Sequence, residues 1–244
     1  KQALAMKEQR LGDIHPDVVT SLNNLGKLYR SQGKYEAAEP LLEKALAINK
    51  QLYDGFHPDI ATSLNNLGEL YRDRGRYRAA EQRLKEALAM KRVLFRENHP
   101  EVATSLNNLG ELYSLQGRYK EAQTFLQEAL AMYQALSQGD HPDTASSLNN
   151  LGELYASQGR YTQAEELFQE SLAISENLYA EDHRAIAVSV NNLGELYASQ
   201  GRYNDAAFQF QEALAMYRRL YQGDHRAIAL TLNNLAELYQ VQGR

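Results

Sequence analysis

The sequence predicts an all-α protein, a right-handed superhelical α-solenoid of stacked antiparallel helix pairs. The string SLNNLGKLY at Ser21–Tyr29 returns at a constant step of 42 residues, and a fixed period of that length indicates a repeat array. Within each period, apolar residues follow the spacing of one face of a helix. Because one helix pair is too small to bury its own apolar faces, each pair is expected to stack on the next.

The repeat has no insertions. The string recurs with small changes from Ser63, Ser105, Ser147, Ser189 and Thr231, and all six histidines keep the same step. We therefore treat residues 1–244 as one array, and its start at Lys1 predicts a fragment of a longer protein. The predicted parts are a partial second helix at 1–13, five helix pairs at 14–55, 56–97, 98–139, 140–181 and 182–223, and a terminal first helix at 224–244.

The first helix of each pair, the A helix, has apolar residues at i, i+4, i+7 and i+11, as at Val18, Leu22, Leu25 and Tyr29. Its predicted start is a His-Pro-Asp sequence, because proline suits the first helical turn and an acid faces the positive end of the helix dipole. Its predicted end is Gln32-Gly33, since glycine readily takes the left-handed conformation that closes a helix.

The second helix, the B helix, is predicted to begin at a capping box formed by Thr162 and Glu165, and at the equivalent positions of the other repeats. On this register Pro40 would be the fourth helical residue and would remove only the first intrahelical hydrogen bond. The helix is expected to run to about Tyr53. Its inward residues in the first repeat are Ala38, Leu42, Ala45 and Leu52.

Composition excludes several classes of function. The 26 basic and 31 acidic residues give a formal charge of −5, so the chain has no global basic field to attract nucleic acid or a membrane surface. No apolar run approaches the roughly 18 residues of a membrane span, and no signal segment opens the chain, so we expect a soluble, cytoplasmic protein. The lack of cysteine excludes disulfides, thiolate metal sites and cysteine nucleophiles.

The six histidines invite a metal or catalytic interpretation, but their placement favours a structural one. Each lies in the turn before an A helix, and successive A helices are separated too widely for two imidazoles to share one ion. A catalytic site needs one asymmetric arrangement, whereas almost every polar residue here is copied five or six times. We therefore expect no enzyme, no metal and no cofactor.

A polar stripe on the A helix, formed by Thr20, Asn24, Lys27 and Ser31, lies opposite its core face and is expected to line a groove. Asparagine is a poor helix former, so its repetition in mid-helix requires a reason. One hypothesis is that these amides bind the backbone of an extended ligand, and the alternative is that they brace neighbouring helices. Bracing is the expectation for Asn23 and its copies, and ligand contact for Asn24, Asn66, Asn108, Asn150, Asn192 and Asn234.

Beside the asparagines, the position of Lys27 is occupied by glutamate in every later repeat. These carboxylates could form a solvated face or could select the ligand. Two aliphatic residues, Leu115 and Val188, also interrupt the polar stripe where solvent should reach. We predict that a partner lies along the later asparagines, with apolar groups against Leu115 and Val188. Basic or donor groups of the partner would face the carboxylates of the groove. The carboxylates in the predicted site are Glu69, Glu111, Glu153 and Glu195.

The pattern resembles the tetratricopeptide repeat. The residues that carry the resemblance in the first repeat are Leu22, Leu25, Gly26, Tyr29, Ala38, Leu42 and Ala45. The 42-residue step, with His-Pro-Asp before the A helix and Asn-Asn-Leu-Gly inside it, is similar to the kinesin light chain variety. The resemblance implies binding of peptides or proteins in a concave groove. Kinesin light chains favour acidic peptides, which only Lys27, Arg30 and Arg72 would suit, and this departure weighs against the same ligand class here.

The leading hypothesis is a non-catalytic scaffold that binds an extended or helical segment of another protein. One alternative is a regulatory array within a larger signalling NTPase. A more remote one is an RNA-reading repeat, which the acidic stripe argues against. Because the two ends would be cut faces of one stack, weak head-to-tail self-association is also expected.

Overall fold

The computed structural model describes residues 2–95, 98–137, 139–223 and 225–243. These residues form an all-α fold without strands, and the predicted boundaries at residues 1, 97, 224 and 244 lie outside them. The helices of the described residues are α1 Gln2–Leu11, α2 Pro16–Ser31, α3 Tyr35–Leu52, α4 Pro58–Asp73, α5 Tyr77–Leu94, α6 Pro100–Leu115, α7 Tyr119–Leu136, α8 Pro142–Ser157, α9 Tyr161–Leu178, α10 Arg184–Ser199, α11 Tyr203–Leu220 and α12 Arg226–Val241.

Histidine caps the start of the A helices, as predicted. The Nδ1 atom of His57 accepts a hydrogen bond from the backbone N–H of Asp59 at 3.2 Å, and Pro58 occupies the first helical position. The imidazole also stacks on Tyr53, with ring centroids 3.4 Å apart. Each described histidine thus satisfies a free N–H group of a helix end, which is a structural role.

The turn between the A and B helices is closed by backbone hydrogen bonds. Gly159 has a φ of 73°, its N–H donates to Ala156 O at 3.0 Å, and the N–H of Arg160 donates to Tyr155 O at 2.9 Å. This Schellman arrangement leads straight into α9. The predicted capping box is therefore wrong: Thr162 already lies inside α9, and the capping residue Arg160 makes no side-chain cap bond.

The earlier start of the B helix also moves Pro40. It is the sixth residue of α3, which begins at Tyr35, and not the fourth as expected. At this position proline removes the hydrogen bond to the carbonyl of Glu36. Pro40 is exposed, so its ring is accommodated on the outer face of the helix.

Glycine permits the close packing of the two helices of a pair. A Cβ atom placed on Gly152 in α8 would lie 2.6 Å from Cε1 of Phe168 in α9. The same relationship joins Gly194 to Phe210, at 2.7 Å. Apolar residues around these contacts are buried, including Leu148, Leu151, Ala164 and Ala206. Of the predicted core face of the first A helix, Val18 and Leu22 are buried, and Leu25 and Tyr29 are half-buried.

The chain divides into two compact units, a first unit of residues 1–125 and a second unit of residues 126–244, with the boundary inside α7. In the first unit α2 contacts α4 and α4 contacts α6, and in the second α8 contacts α10 and α10 contacts α12. Successive B helices within either unit make no such contact among the described residues. The A helices therefore line the inner side of each unit. One continuous array over residues 1–244 stays a prediction.

Candidate functional site

The inner side of the second unit contains two clefts, each between successive A helices. The first has a volume of about 320 Å³ and is lined by Glu153, Ala156, Ser157, Phe168, Asn192, Glu195, Leu196 and Ser199. The second, of about 410 Å³, repeats this lining one repeat later with Glu195, Ala198, Ser199, Tyr203, Phe210, Asn234, Glu237, Leu238 and Val241. Each cleft thus has carboxylates on its walls and a phenylalanine of the B helix at its floor.

The asparagine pairs link successive A helices in the first unit. The side-chain N–H group of Asn66 donates to Oδ1 of Asn23 at 3.2 Å. One repeat later, Asn108 donates to Oδ1 of Asn65 at 3.0 Å and to Oε1 of Glu69 at 3.0 Å. The first asparagine of each pair therefore braces the next repeat, as expected, and the second asparagine takes part in the same bracing.

In the second unit the second asparagine also donates to a groove carboxylate, as Asn108 does in the first unit. Asn192 donates to Oε1 of Glu153 at 3.0 Å, and Asn234 donates to Oε1 of Glu195 at 2.8 Å. Glu195 also accepts from Asn191 at 2.8 Å. These bonds fix both carboxylates on the cleft walls while leaving the side chains of Glu153 and Glu195 exposed.

The two hypotheses for the second asparagine can now be separated by position. Asn66, Asn108 and Asn192 are buried and make the bracing contacts, so the sequence-based emphasis on ligand contact understated their structural role. Their burial follows from the direct contact of successive A helices. Asn24 is exposed, and Asn150 and Asn234 are half-buried. For this column, contact with a ligand stays a prediction.

Arginines bridge successive A helices in the first unit. Arg30 in α2 pairs with Glu69 in α4, and its Nε atom lies 3.3 Å from Oδ2 of Asp73. One repeat later, Arg72 pairs with Glu111 in α6. Each ion pair joins an arginine to the carboxylate that lies 39 residues further on. Glu69 and Glu111, both predicted to contact a ligand, are thus already paired within the protein.

Electrostatics supports the strength of these pairs. Burial alone would raise the pKa of Glu69, but the charges of Arg30, Arg72 and Lys27 outweigh it and hold that pKa below its ordinary value. Desolvation would lower the pKa of Arg72, yet Glu111, Asp73 and Glu69 together raise it. Both groups are therefore stabilised in their charged forms.

The second unit lacks these arginines. Ala156 and Ala198 occupy the positions equivalent to Arg30 and Arg72, and both alanines line the clefts. Two arginines of this unit lie elsewhere: Arg202 stacks over the Tyr197 ring at 3.8 Å, and Arg160 over the Tyr155 ring at 3.7 Å. The replacement of arginine by alanine therefore opens the space between the A helices of the second unit.

The two predicted aliphatic contacts are in different environments. Leu115, at the end of α6, is 58% exposed, whereas Val188 in α10 is half-buried. Sequence reasoning missed Phe168 and Phe210 as cleft floors. The signal was present, because these positions change from leucine in the first three repeats to phenylalanine in the last two.

Sequence reasoning also missed a contact between repeats. Within its own repeat, Tyr113 lies against Phe125, with ring centroids 5.4 Å apart. Its hydroxyl, however, donates to Oε1 of Glu81 in the preceding B helix at 3.1 Å. Arg118 lies over the ring of Tyr113 and donates to Oε2 of Glu81 at 2.8 Å. The tyrosine therefore connects two repeats.

No group of three or more His, Asp or Glu residues is arranged to hold a metal ion within the described ranges. Over the same ranges, every helix is too short or too polar to cross a membrane.

Similarity to known structures agrees with this architecture. A protein from Podosopora anserina, described as a kinesin light chain with nearly identical TPR-like repeats, is 24% identical over 86% of this chain and 99% of its own, with a TM-score of 0.65. BtubC from P. vanneervenii is 26% identical over 92% of both chains, with a TM-score of 0.72. A thermophilic TPR protein from Thermus thermophilus is 21% identical over 89% of this chain and 99% of its own, with a TM-score of 0.65.

Sequence comparison assigns the repeats themselves. No curated protein sequence matches the chain significantly. The sequence profile of the tetratricopeptide repeat matches residues 1–51, 17–93, 91–135, 101–177 and 143–219. These matches cover most of the chain, in agreement with the helix pairs and the 42-residue step. The chain therefore belongs to the tetratricopeptide repeat family.

Proposed function

We propose that the chain is a non-catalytic binding module that holds an extended or helical segment of another protein along the A helices. Repeats of this family commonly mediate interactions between proteins. The observation that carries the proposal is the pair of clefts in the second unit, which repeat the same lining from one repeat to the next. A surface with a periodic lining suits a ligand that is itself periodic, such as a polypeptide segment.

The charge and aromatic content of the clefts also favour a polypeptide. Their walls combine carboxylate, amide and hydroxyl groups, and their floors are apolar, so they suit side chains with both an apolar stem and a polar end. The acidic walls disfavour a nucleic acid backbone, because none of the described residues that line either cleft is basic.

A photo-crosslinking experiment tests this function. A benzophenone amino acid is placed either at Val188, on the A-helix side, or at Phe208, which is 60% exposed on α11. Each labelled chain is then incubated with a random peptide library. We expect peptides to crosslink from position 188 and much less from position 208. Equal capture at both positions, or capture only from 208, would refute binding along the A helices.

Self-association is a separate proposal. Leu230 and Leu232 of α12 are 51% and 41% exposed, so this helix presents apolar groups to solvent. We infer weak head-to-tail contact between copies through this helix. Sedimentation of the chain and of a Leu232→Glu variant measures the association. A wild-type chain that remains monomeric at millimolar concentration would contradict it.

A further inference from the structure

The two units differ in the charge balance of their inner sides. In the first unit, the carboxylates of Glu69 and Glu111 are paired with arginines of the preceding repeat. In the second unit, the residues 39 positions before Glu195 and Glu237 are Ala156 and Ala198. Glu195 and Glu237 are exposed and line the clefts, and Glu153 lines the first of them.

The bracing asparagine does not neutralise Glu195. The bond from Asn234 to Glu195 holds the carboxylate in place but brings no charge. The nearest basic residues on the same face of the A helices are Arg184 and Arg226, at the helix starts. Arg184 precedes Glu195 by 11 residues in sequence, or about 16 Å along α10. That distance exceeds the Debye length of about 8 Å at physiological salt, so these arginines do little to neutralise Glu195 and Glu237.

We propose that the second unit selects segments with lysine or arginine at every third position, each basic side chain entering one cleft. The inference rests on the proposed function and deepens it by naming the ligand class. Successive A helices in contact lie about 8 to 10 Å apart, and an extended chain rises about 3.3 Å per residue. Neighbouring clefts are therefore about three residues of an extended segment apart.

Each cleft suits a cationic side chain in two respects. Two carboxylates face each cleft, Glu153 and Glu195 in the first, and Glu195 and Glu237 in the second. The half-buried side chain of Ala156 or Ala198 offers an apolar surface for the side-chain stem. A charge-assisted hydrogen bond to a carboxylate is stronger than one between neutral groups, so a basic side chain gains most from this lining.

The arginines of the first unit show what would close such a cleft. Arg72 already supplies a guanidinium group to Glu111 from within the protein. An arginine introduced at Ala156 or Ala198 would have the same sequence relationship to Glu195 or Glu237. The protein's own side chain would then compete with the ligand for each carboxylate.

Isothermal titration calorimetry with three synthetic peptides tests the inference. Each has twelve residues in an alanine-serine background: one has arginine at every third position, one has the same four arginines in a contiguous block, and one has glutamine in place of arginine. We expect the spaced peptide to bind at least tenfold more tightly than either of the others. Equal affinity for the spaced and contiguous peptides would overturn the spacing argument.

Variants then locate the binding. The double variant Ala156→Arg, Ala198→Arg should weaken binding of the spaced peptide at least tenfold. Glu195→Gln, which keeps an oxygen to accept from Asn234, should weaken it about fivefold. The control Glu170→Gln removes one charge from an exposed position of α9 and should change affinity less than twofold. Equal weakening by Glu170→Gln and Glu195→Gln would show attraction by net charge alone and would overturn the proposal.

The outcomes distinguish this inference from the proposed function. If the glutamine peptide binds as tightly as the spaced one and the alanine-to-arginine variant blocks both, the groove binds peptides without selecting basic residues. In that case only the ligand class is wrong. If the spaced peptide binds the double variant and the wild type equally, the clefts are not its binding site. Circular dichroism and thermal unfolding verify that each variant remains folded.

Discussion

The hydroxyl of Tyr113 donates a hydrogen bond to Oε1 of Glu81 at 3.1 Å, from an A helix to the B helix of the preceding repeat. The tyrosine side chain is only 1% exposed, so the bond lies at an interior boundary between two repeats. In solenoids, contacts between neighbouring repeats contribute to stability together with contacts inside each repeat. This relationship gives the first prediction.

Replacing Tyr113 with alanine should reduce the free energy of unfolding by about 3 to 5 kcal/mol, as for other buried aromatic residues. Tyr113→Phe, which removes only the hydroxyl, should cost about 0.5 to 1.5 kcal/mol. Urea denaturation followed by circular dichroism measures both. Tyr239→Ala is the matched variant in α12, and it should cost clearly less because Tyr239 is only half-buried. Equal losses at the two positions would contradict nearest-neighbour stacking.

The contact between Gly152 and Phe168 predicts that alanine is unfavourable at a helical position where it would ordinarily be preferred. Alanine is a better helix former than glycine by about 1 kcal/mol. A Cβ atom at position 152 would nevertheless lie 2.6 Å from the phenylalanine ring. We expect overpacking to outweigh propensity, so that Gly152→Ala loses about 1 to 3 kcal/mol of stability. Ser146→Ala on the exposed face of the same helix should change it by less than about 0.5 kcal/mol. A stabilised Gly152→Ala would show that the two helices can separate at little cost.

Removing a histidine cap should reduce stability, and a smaller polar residue at the same position should recover most of that loss. His57→Ala removes the acceptor for the N–H of Asp59 and should cost about 0.5 to 2 kcal/mol. His57→Asn keeps an acceptor at the cap, so it should recover most of that loss apart from the stacking on Tyr53. Thermal unfolding of the three proteins gives the comparison. If asparagine is as destabilising as alanine, the ring stacking and not the cap is the main contribution.

The ion pair of Arg30 and Glu69 predicts a dependence of stability on pH. Because the pKa of Glu69 is lower in the folded protein than in the unfolded chain, its contribution is present above the ordinary carboxyl pKa of about 4. That contribution is lost as the pH falls through the lowered pKa. Glu69→Gln should therefore cost about 1 to 3 kcal/mol at neutral pH and much less in acid.

Urea denaturation at neutral and acidic pH measures this difference. Glu36→Gln is the control, because the Glu36 side chain is 80% exposed and pairs with Arg74 only at the surface. A cost of Glu69→Gln that does not change with pH would mean that the side chain contributes through packing and not through its charge.

Much of the fold could be predicted because it depends on local and periodic signals. The helical spacing of Val18, Leu22 and Leu25 and the proline after each early histidine specify the A helices. The start of the B helix was misplaced because the apparent capping box at Thr162 competes with backbone bonds at Gly159 and Arg160, which side-chain patterns do not reveal. The candidate site was only partly predictable. Whether Glu69 is available to a ligand depends on Arg30, which lies 39 residues earlier and meets it only after folding.

The second asparagine column illustrates the same limit. A helical wheel places Asn66 and Asn192 on the groove side, but it does not show how closely the next A helix approaches. Contact between those helices buries both amides and directs Asn66 to Asn23 and Asn192 to Glu153. Interactions between distant segments therefore decide which polar groups face a ligand.

Binding along the A helices of the second unit is the central claim, and a methyl NMR titration tests it most directly. The chain carries labelled valine and leucine methyl groups and is titrated with the peptide that has arginine at every third position. We expect chemical-shift changes at Val188, Leu196 and Leu238 and almost none at Leu167 and Leu172 of α9. Changes confined to α9 and α11, with Val188 and Leu196 unaffected, would contradict the account.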